Sequence, residues 1–254
     1  VDELSIAVDE GEVFGLLGEN GAGKTTLMNI LFGYYASDAG EIRLRGERAE
    51  LTAPRDAIAR GVAMIHQHFT LVPVQTVLEN VVIGTGRGLF LDLEGARRRL
   101  VDLAARFGLA VDPDARVWTL SVGEQQRVEI LKALYRDAQI LIMDEPTAVL
   151  TPGEVRQLFA TLRGLVREGR SIVFISHKLN EVMEVADRVV VLRGGRVVAE
   201  RRACETSRRE LANLMVGRDV LERLDKRAGQ PGEPRLEIQG LSVRGDRGLE
   251  ALRA

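Results

Sequence analysis

The chain has 254 residues, 45% hydrophobic and 28% charged, a globular composition large enough for one big domain or two small ones. Its 35 basic residues are offset by 37 acidic ones, a net charge of −2, which leaves no electrostatic footprint for nucleic acid. One cysteine, Cys204, excludes an internal disulfide; no apolar run nears the ~18 residues of a membrane span, so any membrane role is expected to run through a partner.

In chain order, residues 4–8 (LSIAV) alternate apolar and polar and predict a strand, closed by a turn at Glu10-Gly11. Residues 13–17 (VFGLL) are continuously apolar and predict a buried strand. It runs into Gly18-Glu19-Asn20-Gly21-Ala22-Gly23-Lys24-Thr25-Thr26, which spells GxxxxGK[ST] between a strand and a helix. Gly18, Gly21 and Gly23 let the backbone turn its N–H groups toward phosphate oxygens. The positive end of the following helix faces the same anion. Lys24 is then placed to reach the β- and γ-phosphates, and the Thr25 hydroxyl to ligate Mg²⁺. This stretch predicts nucleoside triphosphate binding.

After a loop at 33–40, residues 41–44 predict a short strand, 54–60 a short helix and 62–65 (VAMI) a buried strand leading to Gln67. His66 and His68 would share one face of that strand, but two histidines without a third ligand make a poor metal site. From Thr76 the pattern turns helical. Thr76-x-x-Glu79 and Ser121-x-x-Glu124 are capping boxes, and Ala96, Leu100, Leu103, Ala104 and Phe107 recur at helical spacing between them. Residues 76–136 are expected to form a helical insertion in an α/β core, interrupted at Asp112-Pro113-Asp114.

The core resumes at 140–143 (ILIM), a short apolar run suited to a buried parallel strand. It delivers Asp144 and Glu145 at its tip, with Asp144 placed for a Mg²⁺ shell and Glu145 to polarise an attacking water. Val155, Leu158, Phe159, Leu162, Leu165 and Val166 mark an amphipathic helix. A strand over 171–175, a helix over 179–186 and a strand over 188–192 follow. His177 sits at a strand tip, where it can hydrogen-bond a γ-phosphate oxygen. Ser207-x-x-Glu210 caps a last helix that stops at Gly217.

Residues 222–235 (ERLDKRAGQPGEPR) predict a linker. A fresh strand pattern over 236–243 then begins with nothing after it to pair with. Its Leu241-Ser242-Val243 echoes Leu4-Ser5-Ile6, as in a tandem repeat cut just beyond one period. The expected division is therefore 1–217, a linker at 222–235, and the start of a second domain at 236–254.

Residues 120–127 (LSVGEQQR), taken with the phosphate loop, Gln67, Asp144-Glu145 and His177 in this order, resemble the signature of the ATP-binding cassette (ABC) ATPases. Residues 120–136 and 144–152 (DEPTAVLTP) look like the first cassette of a two-cassette importer ATPase for simple sugars or nucleosides, and 66–73 (HQHFTLVP) leans toward the nucleoside branch. The resemblance implies a phosphate-loop α/β core with a parallel sheet, an antiparallel β subdomain and a helical insertion, using ATP and Mg²⁺. It implies that Gly18 to Thr26 bind ATP in this chain's own half. Ser121, Gly123 and Glu124 would face the nucleotide of a partner cassette, and Gln67 would sense the γ-phosphate and Mg²⁺. It further implies transmembrane permease subunits, an indirect extracytoplasmic substrate-binding protein and a place on the cytoplasmic face of the membrane. Three departures stand out: Val122 and Glu124 within the signature, and Thr151 where many cassettes carry aspartate. The resemblance places the adenine-stacking aromatic residue upstream of Val1, so this stretch alone is expected to bind ATP more weakly than the intact protein. The competing expectation is a soluble tandem cassette acting on ribosomes, against which stand the balanced charge and the helical insertion.

Overall fold

The computed structural model describes residues 1–85, 92–218, 237, 239–244 and 250–253. By internal contacts the chain divides into two compact units, Val1–Val220 and Leu221–Ala254. In the first, the apolar runs become the strands β1 (Val13–Leu17), β4 (Val62–Ile65), β5 (Ile140–Asp144), β6 (Ser171–Ser176) and β7 (Arg188–Arg193), and β8 (Arg196–Arg202) completes a six-stranded sheet in the order β4-β5-β6-β1-β7-β8. All neighbours pair in parallel except β7 and β8, which are antiparallel.

Alternation along the buried strands separates two cores. Val13 and Leu17 of β1, Leu141 and Met143 of β5, Ile172 and Phe174 of β6, and Val189 and Val191 of β7 face one side. Phe14, Leu16, Ile142, Val173, Ile175, Val190 and Leu192 face the other. Neither face could meet water, which is why these strands read as unbroken apolar runs. The first side is covered by α6 (Pro152–Arg167), α7 (Leu179–Val185), α8 (Arg208–Val216) and the helical insertion. The second is covered by α1 (Lys24–Leu31), α2 (Pro54–Ala59) and the hairpin of β2 (Ile42–Leu44) with β3 (Glu47–Ala49).

The insertion contains α3 (Val77–Val82), α4 (Leu93–Phe107) and α5 (Val122–Tyr135). Both expected capping boxes form: Thr76 accepts from Glu79 N, and Ser121 from Glu124 N. In α4 the residues Ala96, Leu100, Ala104 and Phe107 are buried on one face, with Leu103 half-buried beside them. The interruption near Pro113 is tied back to α3, since Val77 N donates to Ala115 O and Leu78 N to Pro113 O.

Several expectations are corrected. Residues 4–8 keep their period-two burial, with Leu4, Ile6 and Val8 packed on the second core, yet form no strand ladder. Alternation sets which side chains are buried; a strand also needs a partner backbone. Two strands of the first unit escaped sequence reading. β3 is three residues with only Ala49 buried, and β8 buries only Ala199. An edge strand with one wet face carries charged residues and loses the apolar signature. β4 ends at Ile65, so His66 and His68 lie beyond it and share no strand face. In the second unit, β9 (Ser242–Arg244) pairs antiparallel with β10 (Glu250–Arg253), so the late strand pattern does have a partner. The expected linker at 222–235 lies outside the described residues.

Gly15 shows how tightly α7 is set against β1. A Cβ at this position would lie 2.6 Å from Val182 Cγ1 and 3.1 Å from Ala186 Cβ. Gly15→Ala is expected to destabilise the protein by about 1–3 kcal/mol through overpacking, read as a lower denaturant midpoint with an unchanged slope.

Candidate functional site

Because β4, β5, β6 and β1 run in parallel, their carboxyl ends lie on one edge of the sheet. β1 delivers the phosphate loop there, β5 delivers Asp144 and Glu145, β6 delivers His177, and β4 leads to His66 and Gln67. The carboxyl edge of a parallel sheet is where such folds bind ligands.

The loop's conformation depends on its glycines. Gly21 and Gly23 adopt φ of +82° and +101°, the left-handed region in which a side chain is strained. A Cβ on Gly18 would lie 2.6 Å from Leu192 O. Lys24, 6% exposed, curls back to donate from Nζ to Gly18 O at 2.7 Å and Glu19 O at 3.0 Å. Ala22 is buried, whereas Glu19, Asn20, Gly21, Thr25 and Thr26 are exposed.

Among the described helices of eight or more residues, α1 alone begins without a side-chain cap; Asp92, Ser121, Thr151 and Ser207 cap α4, α5, α6 and α8. Nor does α1 carry an acidic residue in its first turn. Its first N–H groups are thus left to an outside acceptor, and the local field favours an anion.

The charges behind the loop are coupled. Burial pushes the Lys24 ammonium below its ordinary pKa, opposed by Glu145 and Asp144. Burial also pushes the Asp144 carboxyl above its ordinary pKa; the Glu145 charge adds to this, while Lys24 and His66 oppose it. No hydrogen bond to the Asp144 carboxylate occurs among the described residues. A half-buried carboxylate with a raised proton affinity, facing the Lys24 charge at the sheet edge to which β1 also delivers the exposed Thr25 hydroxyl, suits Mg²⁺, which takes few protein oxygens when phosphates complete its shell. No cluster of three or more His, Cys, Asp or Glu side chains suited to a metal is present among the described residues.

Glu145 and His177 meet directly, with His177 Nδ1 2.7 Å from Glu145 Oε1. Glu145 adopts φ of +47°, a left-handed conformation that costs a residue with a Cβ about 1–2 kcal/mol. Its N–H donates to Ile175 O at 3.0 Å, which ties the turn to β6.

Gln67 is exposed in the loop after β4. Three residues on, Thr70 donates from N and Oγ1 to the buried Glu129 of α5 at 2.6 and 2.9 Å. Sequence reading missed Glu129, since nothing local in a glutamate on a helix announces a partner 59 positions away. Ser121, Gly123 and Glu124 open α5, and Glu124 Oε2 accepts from Ser121 N at 2.8 Å. No hydrogen bond or ion pair among the described residues joins these three to the phosphate loop. Thr151 caps α6 by accepting from Glu154 N and, through its own hydroxyl, donating to Glu154 Oε2.

A glycine-rich loop feeding an uncapped helix at the carboxyl edge of a parallel sheet, with acidic residues on the next-but-one strand, defines a phosphate-loop nucleotide-binding protein. Residues 1–148 match the family described as ABC transporter, more than half of the sequence, and the chain belongs to that family. It is 49% identical to a glucose import ATP-binding protein of Haloferax volcanii over 99% of this chain and 51% of that protein. It is 48% identical to a guanosine import ATP-binding protein of Bacillus subtilis, over 99% of this chain and 50% of that protein. A nucleoside import ATP-binding protein of Lactococcus lactis subsp. cremoris is 46% identical over 97% and 49%. The chain thus spans about half the length of the curated relatives it matches. A solved ATP-binding cassette of an ABC transporter in its ADP conformation superposes with a TM-score of 0.72 at 26% identity, covering 84% of this chain and 87% of that one. A dimeric cassette in a post-hydrolysis state bound to ADP and Pi gives 0.68 at 26%, covering 79% and 89%. The fold is that of an ABC ATPase cassette.

The raised Asp144 pKa predicts a pH effect. The folded protein holds this proton more tightly than the unfolded chain, so stability is lost as pH rises from the ordinary aspartate value near 4 through the raised folded value. Asp144→Asn removes that loss. In thermal melts without nucleotide or Mg²⁺, the melting temperature of wild type minus that of Asp144→Asn is expected to fall as pH rises through this window.

Proposed function

We propose that this chain is the ATP-binding and hydrolysing part of an ABC importer's energising subunit, for nucleosides or simple sugars. The observation that carries the hydrolytic reading is the Glu145–His177 contact of 2.7 Å, at the same sheet edge as the phosphate loop. The importer reading rests on the relatives above, each named for import and none for the ribosome.

In this reading the N–H groups of Gly18 to Thr26 hold the phosphates, and Lys24 leaves the loop carbonyls to meet the β- and γ-oxygens. Thr25, Asp144 and Gln67 would hold Mg²⁺, which supplies charge neutralisation at the β- and γ-phosphates. Glu145 accepts a proton from the water that attacks the γ-phosphorus, and ADP carries away the electrons of the broken P–O bond. His177 fixes the Glu145 carboxylate by donating from Nδ1, and it would donate from Nε2 to a γ-phosphate oxygen when the ring carries both protons. Ser121 and Gly123, with Glu124 behind them, would offer a hydroxyl and an N–H group to the γ-phosphate on a second cassette. Thr70 and Glu129 give a path from Gln67 to the signature helix α5. ATP then favours the closed pair and hydrolysis removes that preference.

The proposed division is a cassette over 1–217, with 76–136 as its signature subdomain, a linker at 222–235 and the start of a second cassette at 236–254. Permease subunits would dock on the insertion, with the substrate-binding protein acting indirectly. No described helix is long and apolar enough to cross a membrane; the placement proposed, peripheral on the cytoplasmic face, rests on the likeness to import ATP-binding proteins.

Glu145→Gln in the full-length protein is expected to lower ATP hydrolysis about 10²–10⁴-fold while fluorescent ATP-analogue binding stays within a factor of two or so. Loss of binding in step with rate would overturn the role given to Glu145. Recovery of the full-length protein with membranes supports the importer reading; recovery with ribosomes overturns it.

A further inference from the structure

Neither candidate hydrolytic group is held in place by its own contact alone. Glu145 occupies a left-handed turn and is followed by Pro146, which has no N–H to anchor it. The next residue, Thr147, is 2% exposed and is fixed from the other side of the site. Its hydroxyl donates to Glu181 Oε2 of α7. Lys178 Nζ donates to Thr147 O at 3.1 Å and Thr147 Oγ1 at 3.4 Å, and lies 3.1 Å from Glu181 Oε1. Lys178 directly follows His177, and its own N–H donates to Ser176 Oγ at 3.0 Å.

Thr147 lies two residues from Glu145 and Lys178 lies next to His177, so the bonds between them cross-brace the two segments. The Glu181 side chain is 14% exposed, and its charge has a cation and a hydroxyl as partners, so the brace leaves no buried carboxylate uncompensated. A left-handed residue with a side chain persists only where its surroundings over-determine it, and Thr147 is the buried anchor of this turn on its downstream side.

We propose that Thr147, Lys178 and Glu181 form a latch that holds Glu145 and His177 in register, making them positioning residues for hydrolysis. This rests on the hydrolytic reading of Glu145 given above. The latch touches neither the phosphate loop nor Asp144, so it acts on turnover and leaves nucleotide affinity alone. Its parts act as one unit, so breaking it twice costs no more than breaking it once.

The test is a double-mutant cycle in the full-length protein, with Thr147→Val, Lys178→Met and the pair, read by single-turnover ATP hydrolysis and fluorescent-nucleotide titration. Each single variant is expected to lose about tenfold or more in rate, within the range that misplacing a catalytic group costs. The double variant should be no slower than the worse single one, ATP affinity should be unchanged, and Thr147→Ser should restore the rate. Wild-type rates in both single variants would overturn the latch. So would losses that multiply in the double variant, or affinity that falls together with rate. Should Thr147→Val fail to fold, the same cycle with Lys178→Met and Glu181→Gln decides the matter. Glu145→Gln runs alongside: if it hydrolyses as fast as wild type, the hydrolytic reading fails and takes the latch with it. If it is inactive while the latch variants are normal, the latch alone fails.

Discussion

The parallel register of β4, β5, β6 and β1 places four chain segments, far apart in sequence, on a single sheet edge. Leu17 lies opposite Ser176, and Asp144 opposite Ile175, so the phosphate loop, the Asp144-Glu145 pair and His177 all begin within one register step of each other. A shift by one residue would exchange the two faces and misfit the side chains of both packed cores, so the packing holds the register. The two cores that those faces build are therefore also what aligns the site.

Charge and backbone strain collect at that edge. Lys24 and Asp144 are shifted toward their neutral forms mainly by burial, and each partly restores the other's charge. Glu145 is held at positive φ by a bond to β6, and the neighbouring Thr147 by Lys178 and Glu181. α1 begins with N–H groups that no side chain caps, while the other long helices close theirs. Each feature costs folding free energy locally and is tolerated because the packed sheet beneath supplies stability. The site thus concentrates buried charge and a strained turn on a rigid base.

The helical insertion is linked to the core by polar side chains as well as apolar packing. Glu129 of α5 accepts both donors of Thr70, and Lys132 reaches the same hydroxyl at 3.3 Å. Asn80 of α3 bonds the backbone of Val72 and Thr76 from a nearly inaccessible position. Directional bonds of this kind fix one orientation of the segment after Gln67 relative to α5, a specificity that apolar packing by itself does not give. The sequence contains these residues without showing that they meet.

Much of the core was legible because its signals are local. Buried parallel strands read as unbroken apolar runs, and capping boxes at Thr76 and Ser121 mark helix starts. The phosphate loop declares itself because only glycine suits its left-handed turns. β3, β8 and the failed strand over residues 4–8 were not legible, since an edge strand is defined by its partner's backbone rather than by its own side chains. The sequence by itself determined the chemistry available, namely the loop, its lysine, the carboxylates and the histidine, together with the period of each element that carries them. The tertiary structure alone decided which of these groups share an edge, that Glu145 bonds His177, and that Thr147 is braced by Lys178 and Glu181. Those contacts join residues 31 to 34 positions apart, and sequence spacing carries no information about a distance that only the parallel pairing of strands sets.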